Sequence, residues 1–163
     1  MATKKAKGPE EKVLYIVRTL RVPRETLFKF LTDARELKKW FNPTSEYTVE
    51  SVETNPKTGG AWRIGMKPPD GPAYYASGVY REIKVPYWVV FTFNWEGERT
   101  WAPDPVKNPA PESVVIFQLK AKDDGKSTEF FFWHNGLLDE KTMDEHKWGW
   151  SGILDSLDRY VVL

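Results

Sequence analysis

Two histidines are the first candidates for chemistry, because imidazole is the side chain that most readily transfers protons and binds metal ions near neutral pH. They are His134 and His146, and the chain has no cysteine. A catalytic zinc usually takes three protein ligands, so this pair would need a carboxylate such as Asp139 or Glu145. We favour a structural interpretation, in which His134 ends a strand with a local hydrogen bond and His146 lies along the first turns of a helix. A polar pair of histidines in a pocket stays open as the alternative.

Three further motifs resemble catalytic or binding sequences without completing them. GWSG at 149–152 lacks the spacing of the serine elbow G-x-S-x-G, lies inside a predicted helix, and has no histidine after it. Glu96 and Glu98 could pair as acid and base, but residues at a strand end are more typically solvated turn positions. GGAWR at 59–63 lacks the lysine of a phosphate-binding loop. We therefore predict no catalytic residues, no metal and no cofactor.

Hydrophobic periodicity and turn signals define the elements that position these residues. A strand is predicted over 13–21, and Pro23 suits the first position of a helix that continues through RETLFKFL. Asp33 and Glu36 resemble a capping box that opens a second helix ending at Trp40. The turn signals then separate six strands, and their short connections imply antiparallel pairing. These strands are predicted at 46–54, 60–67, 74–84, 87–96, 113–121 and 126–135.

Alternation within these strands predicts a sheet with one covered face. In the strand predicted at 60–67, Trp62, Ile64 and Met66 point to one face of the sheet and the basic residues point to the other. The strands at 87–96 and 113–121 repeat the pattern, and the strand at 126–135 repeats it less cleanly. The strand at 74–84 has apolar residues on both parities, so its faces stay unassigned. Four prolines in WAPDPVKNPAP, at 101–111, predict a loop.

The last helix, EHKWGWSGILDSLDRYV at 145–161, contains two glycines, each of which costs about 1 kcal/mol relative to alanine. Trp150, Leu154 and Leu157 still give it an apolar stripe, and it is the element large enough to cover the sheet. We interpret Gly149 and Gly152 as positions where the helix approaches the sheet closely or leaves space beside it.

Composition narrows the classes of function. The 163 residues fit one domain over 13–163, preceded by a flexible tail over 1–12. With 24 basic and 23 acidic residues, the net charge of +1 predicts no nucleic-acid partner and no attraction to anionic membranes. No apolar segment approaches membrane-spanning length, so we expect no membrane insertion. The absence of cysteine fits a reducing compartment, and we expect a cytoplasmic location. Aromatic residues make up 15% of the chain, more than a small core requires.

Several segments in order resemble the domain found in activators of heat-shock protein 90 ATPase: VPRETLFKFLTDARELKKWF, GGAWRIGMKPPDGPAYYASGVYREI, VVFTFNWEGE and HNGLLDEKTMDEHKWGWSGILDSLDRYV. The resemblance covers roughly residues 13 to 162 and places the chain in the START-like (SRPBCC) superfamily. It implies an α+β helix-grip fold, as in Bet v-like proteins, in the order β-α-α-β-β-β-β-β-β-α. In that fold a curved antiparallel sheet wraps around a long C-terminal helix, with a cavity between them.

Relatives in the superfamily bind lipids and other apolar molecules, so the leading hypothesis is noncatalytic binding of a small hydrophobic or amphipathic ligand in that cavity. The alternatives are an interaction module or co-chaperone acting on heat-shock protein 90 in a stress response, and a START-like enzyme such as a cyclase. Eukaryotic co-chaperones of this type carry a separate N-terminal domain, where this sequence has a short lysine-containing tail. The candidate ligand-binding residues are Trp40, Phe41, Trp62, Ile64, Met66, Tyr80, Phe91, Phe93, Phe117, Phe132, His134, Trp150 and Leu154.

Overall fold

A computed structural model of the chain describes residues 12–96, 112–137 and 139–162. The described residues form seven strands and three α-helices in the predicted order, with a short 3₁₀ turn at Asp123–Gly125. The predicted loop at 101–111, and the predicted tail up to residue 11, lie outside them. The elements are β1 (Lys12–Leu20), α1 (Arg24–Thr32), α2 (Ala34–Trp40), β2 (Thr48–Thr54), β3 (Ala61–Lys67), β4 (Tyr74–Lys84), β5 (Trp88–Trp95), β6 (Ser113–Lys122), β7 (Ser127–Leu137) and α3 (Glu140–Val161).

The seven strands form one antiparallel sheet in the order β1-β7-β6-β5-β4-β3-β2. The sheet is curled into a half-barrel, and α3 lies against its inner face, where the Trp150 ring contacts Phe93, Phe117 and Phe132 of three successive strands. This arrangement is the helix-grip fold, and the fold prediction is confirmed. None of the helices within the described ranges is both long enough and apolar enough to cross a membrane.

The residues on the inner face of the sheet are the ones that alternation predicts. Trp62, Ile64 and Met66 of β3 are buried, while Arg63 and Lys67 are exposed. On β4, which could not be assigned from the sequence, the register with β5 shifts between Tyr80 and Glu82.

The consequence of this irregularity is a change of parity along β4. Tyr80, which precedes the irregularity, is buried, and Ile83, which follows it, packs against the core. In a regular strand two residues three apart would point to opposite faces. A β-bulge has this effect because one extra residue turns the following side chains to the opposite face.

The two short helices follow the predicted capping only in part. Pro23 is the N-cap of α1, one residue before the predicted position. The Asp33 side chain accepts hydrogen bonds from the backbone N–H groups of Arg35 and Glu36 at the start of α2. The reciprocal half of a capping box is replaced, because the Glu36 carboxylate accepts a hydrogen bond from the Tyr160 hydroxyl. That bond ties α2 to the last turn of α3.

Helix α3 begins at Glu140, five residues before the predicted start, because Asp139 caps it by accepting from the Thr142 N–H at 2.7 Å. Its two glycines have different roles. A Cβ atom built at Gly152 would lie 2.1 Å from the carbonyl oxygen of Pro43, so the close approach is to the segment after α2 and not to the sheet. A Cβ atom at Gly149 would have no heavy-atom neighbour within 4 Å. One glycine therefore permits contact, and the other leaves open space.

Candidate functional site

The open space beside Gly149 is part of an outer cavity between α3 and the β3–β5 region of the sheet. Its volume is about 70 Å³, and it opens to solvent. Most of the side chains around it are aromatic or aliphatic. It is lined by Phe41, Pro43, Tyr47, Trp62, Ile64, Met66, Tyr74, Ala76, Phe93, Trp95, Glu145, His146, Trp148, Gly149, Trp150 and Ile153.

An inner cavity of about 30 Å³ lies deeper between the sheet and the helices. It shares five wall residues with the outer cavity, so a ligand in one would touch the walls of the other. These shared residues are Phe41, Trp62, Ile64, Phe93 and Trp150. The inner cavity is lined in addition by Leu31, Leu37, Trp40, Thr54, Tyr80, Val89, Phe91 and Phe117.

Ten of the thirteen candidate residues line one or both cavities: the five shared residues, Met66 in the outer cavity, and Trp40, Tyr80, Phe91 and Phe117 in the inner one. The other three, Phe132, His134 and Leu154, are buried but line neither. For Phe132 and His134 the reason is the Trp150 indole, which lies 4.7 Å from the Phe132 ring and bonds to His134. These three residues belong to the packed core.

Three of the tryptophans that line the cavities donate their indole N–H to other groups of the protein. Trp62 donates to the Thr92 carbonyl oxygen at 3.0 Å, Trp95 to His146 Nε2 at 3.1 Å, and Trp150 to His134 Nδ1 at 3.0 Å. A buried donor without a partner costs free energy, so these bonds fix the orientation of each ring. None of the three N–H groups is left to bind a ligand.

His134 is held as a neutral imidazole by a chain of hydrogen bonds. Because its Nδ1 accepts from Trp150, its proton lies on Nε2 and is donated to Ser113 Oγ at 2.6 Å. Ser113 in turn donates to the Phe93 carbonyl oxygen at 3.2 Å. A second proton on the ring would face the indole N–H. Burial, with a smaller effect of His146, lowers the pKa of His134 to about 3.

His146 lines the outer cavity and is also fully engaged at both ring nitrogens. Its Nδ1 lies 2.8 Å from the Thr142 carbonyl oxygen, to which it donates, and its Nε2 accepts from Trp95. The two imidazole centroids are 5.0 Å apart. Thus the histidines do lie together, His134 in the core and His146 at the cavity wall, and both serve as hydrogen-bonding partners of tryptophan.

The other candidate groups for catalysis are dispersed. Glu96 pairs with Arg63, and the guanidinium lowers the pKa of the Glu96 carboxyl; Glu98 lies outside the described residues. Asp139 serves as the cap of α3. Among the residues that the structure describes, no three histidine, aspartate or glutamate side chains gather closely enough to hold a metal ion.

Tyrosine hydroxyls are among the polar groups of the two cavities. Tyr80 is 4% exposed and lines the inner cavity, where burial raises its pKa above the ordinary range. Burial, together with Tyr47, likewise raises the pKa of Tyr74 at the outer cavity. Both phenols therefore remain neutral near pH 7, and the Tyr80 hydroxyl can donate to a ligand oxygen or nitrogen.

Sequence reasoning missed the residues around the cavity mouth. Tyr74 shares the inward parity of Ala76, and Trp95 extends the alternation of β5, so both carried a signal. Tyr47 lies before β2, and Trp148 is 57% exposed on α3, so neither belongs to an apolar stripe. Only the three-dimensional structure brings these two together.

Residues 21–162 match the family model described as Activator of Hsp90 ATPase homolog 1-like protein. Similar solved structures include the AHSA1 protein of Silicibacter pomeroyi, with a TM-score of 0.74, 24% identity, and coverage of 93% of this chain and 98% of that one. A Chromobacterium violaceum protein has a TM-score of 0.75 and 19% identity, with coverage of 91% of this chain and 96% of that one. CalU16 of Micromonospora echinospora has a TM-score of 0.67 and 19% identity, with coverage of 93% of this chain and 76% of that one. No curated protein matches the chain. At these identities the structural likeness shows the fold.

Proposed function

The chain belongs to the Activator of Hsp90 ATPase homolog 1-like protein family, and from this premise we propose that it is a noncatalytic, cytoplasmic protein that binds a small apolar or amphipathic molecule between the sheet and α3. The observation that carries the proposal is the pair of adjoining cavities with shared aromatic walls. A filled interior would have favoured a role at the protein surface.

The size and chemistry of the cavities set the kind of ligand. The volume of the outer cavity, about 70 Å³, lies below the roughly 300–1,000 Å³ typical of small-molecule sites, so the ligand should be small and should extend into the open mouth. Burial of about 200 Å² of apolar ligand surface would contribute about 5 kcal/mol at 25 cal/mol per Å², before the cost of association. Polar groups are few, so the ligand should be mostly apolar, with one or two groups positioned for tyrosine hydroxyls such as Tyr80.

A ligand screen tests this proposal. Fatty acids, flavonoids and lipids are titrated while tryptophan fluorescence is recorded, because Trp62 and Trp150 line both cavities. A true ligand at a hundred times its Kd stabilises the fold by about 2.7 kcal/mol, which raises Tm by about 5–10 °C for a chain of this size. Failure of every compound to give saturable binding and a Tm rise would contradict the proposal.

A second candidate function, co-chaperone action on a heat-shock protein 90 type partner in a stress response, is favoured by an exposed apolar surface. Val13, Tyr15 and Val17 of β1 are 48%, 52% and 44% exposed. Tyr15 pairs with Trp133 and Val17 with Phe131 across β7, and these five residues are the β1/β7 patch. Exposed patches of this kind mark interaction sites. The rings of this patch lie on the outer face of the sheet, whereas the ring that alternation assigns to the inner face of β3 is buried.

The co-chaperone hypothesis is tested with the heat-shock protein 90 of the source organism. Co-precipitation and an ATPase assay compare the natural chain with a Tyr15→Ser, Val17→Thr variant, whose changes lie on the exposed face and leave the cavities intact. Binding and stimulation that weaken in the variant would support the hypothesis. A chaperone that neither binds nor responds to the natural chain would eliminate it.

A further inference from the structure

The mouth of the outer cavity is bordered by a continuous series of four aromatic rings. Tyr47 lies between Trp148 and Tyr74, with centroid distances of 6.4 and 6.5 Å, and Tyr74 lies 5.4 Å from Trp95. Successive ring planes are inclined by 59°, 86° and 53°, so the rings are not stacked on one another. These four residues are called the aromatic rim.

One carboxylate completes this rim. Among the described residues that line the outer cavity, Glu145 is the one acidic side chain, and none is lysine or arginine. None of the ion pairs in the described part of the chain engages Glu145. The hydrogen bonds of His146 are those of the neutral ring, with one nitrogen donating and the other accepting. The formal charge of the described part of the lining is therefore negative.

Three hydrogen-bond donors of the lining are unavailable to an anionic ligand. The indole N–H groups of Trp62, Trp95 and Trp150 are committed to protein acceptors. A ligand carboxylate or phosphate at the mouth would thus meet Glu145 without gaining these donors. A cation would gain both the Coulomb attraction of Glu145 and the negative faces of the aromatic rings, an interaction of about 0.5–2 kcal/mol per contact.

We propose that the ligand is an amphipathic organic cation, with an ammonium group at the aromatic rim beside Glu145 and an apolar body in the cavities. This inference rests on the proposed ligand-binding function and names the chemical class of that ligand. Its apolar part supplies most of the affinity through burial, and its charged group supplies the selectivity.

Three probes with the same chain length separate these contributions: octyltrimethylammonium, 1-octanol and octanoate, each titrated below its micelle concentration and followed by calorimetry. We expect octyltrimethylammonium to bind about 3- to 30-fold more tightly than octanol, as one cation–π contact predicts. Octanoate should bind most weakly.

Variants assign the selectivity to the rim. Glu145→Gln should remove most of the preference for the cation while the affinity for octanol stays within twofold. Trp148→Leu keeps an apolar side chain but removes a ring, so it should likewise lower the affinity for octyltrimethylammonium and leave the other two affinities unchanged. Asp144→Asn is the matched control, since Asp144 is an exposed neighbour on α3 that lines neither cavity. It should leave all three affinities unchanged.

The outcomes distinguish this inference from the proposed function. If octanol binds as tightly as octyltrimethylammonium, or if octanoate binds best, the inference of a cationic ligand is wrong but the proposed ligand-binding function stands. If Asp144→Asn reduces the preference as much as Glu145→Gln, the assignment to the rim is wrong. If none of the three probes binds, both the proposed function and this inference are contradicted.

Discussion

The two glycines of α3 permit a sharp prediction, because the same substitution should have opposite effects at positions one turn apart. Gly149 and Gly152 both lie inside the helix and both carry the helix penalty of glycine. A methyl group at Gly149 would extend into open cavity space. A methyl group at Gly152 would lie 2.1 Å from the Pro43 carbonyl oxygen, far inside ordinary contact distance.

The magnitudes follow from these distances. Gly149→Ala gains about 1 kcal/mol of helix propensity and meets no obstacle, so its Tm should rise by about 2–4 °C. Gly152→Ala gains the same propensity, but two backbone segments must separate by about 1 Å to reach a normal carbon–oxygen contact. Overpacking of this kind costs about 1–3 kcal/mol, and backbone cannot rotate away as a side chain would. The cost should reach the upper end of this range, about 3 kcal/mol, which leaves a net loss of about 2 kcal/mol.

Calorimetric or fluorescence-detected melting of the two variants in one buffer measures this difference, which should amount to about 3 kcal/mol, or about 6–12 °C. Urea titrations provide a second measure of the free energy of unfolding. Two variants that shift in the same direction would refute the distinction between a contact glycine and a cavity glycine. So would a stabilised Gly152→Ala.

The remaining predictions concern the hydrogen-bonded core behind Trp150. The pKa of His134 is about 3 in the folded chain and about 6.5 when unfolded, so the unfolded state alone gains a proton as pH falls through this window, and stability falls with it. The loss in the free energy of unfolding should approach about 2 kcal/mol at pH 5, measured from urea midpoints. In the His134→Gln variant this pH dependence should be flatter. An equal pH dependence of stability in both proteins would show that it does not come from His134. Ser113→Ala removes the acceptor of the buried imidazole N–H and should cost about 1–3 kcal/mol by thermal melting, whereas exposed Ser45→Ala should cost under about 0.5 kcal/mol. A Ser113→Ala variant as stable as the control would show that the bond contributes little.

The fold was accessible from the sequence because each element carried its own periodicity and the segments matched a family in order. The elements that escaped prediction depend on contacts that periodicity does not encode. The bulge after Tyr80 reverses the parity of β4, and the first turn of α3 is set by the Asp139 cap ahead of the apolar stripe. The partner of Gly152 is Pro43, more than a hundred residues away along the chain.

The candidate site was accessible only in outline. Inward parity identifies residues such as Trp62 and Phe93, but the same parity describes cavity walls and filled core alike. What separates Phe132 from the walls is the ring of Trp150, which lies across it. The mouth depends on Tyr47 and Trp148, which come from unrelated segments and meet only in the folded chain. Their spacing in the sequence holds no information about that contact.

Substitution of Gly149 by leucine tests the central claim most directly, because it fills the outer cavity without straining the helix. The position has open space around it and leucine is a strong helix former, so the variant should be at least as stable as the natural chain. An amphiphile that binds the natural chain in calorimetric titration should lose at least tenfold in affinity for Gly149→Leu. Unchanged affinity in a folded Gly149→Leu variant would contradict the cavity as the binding site.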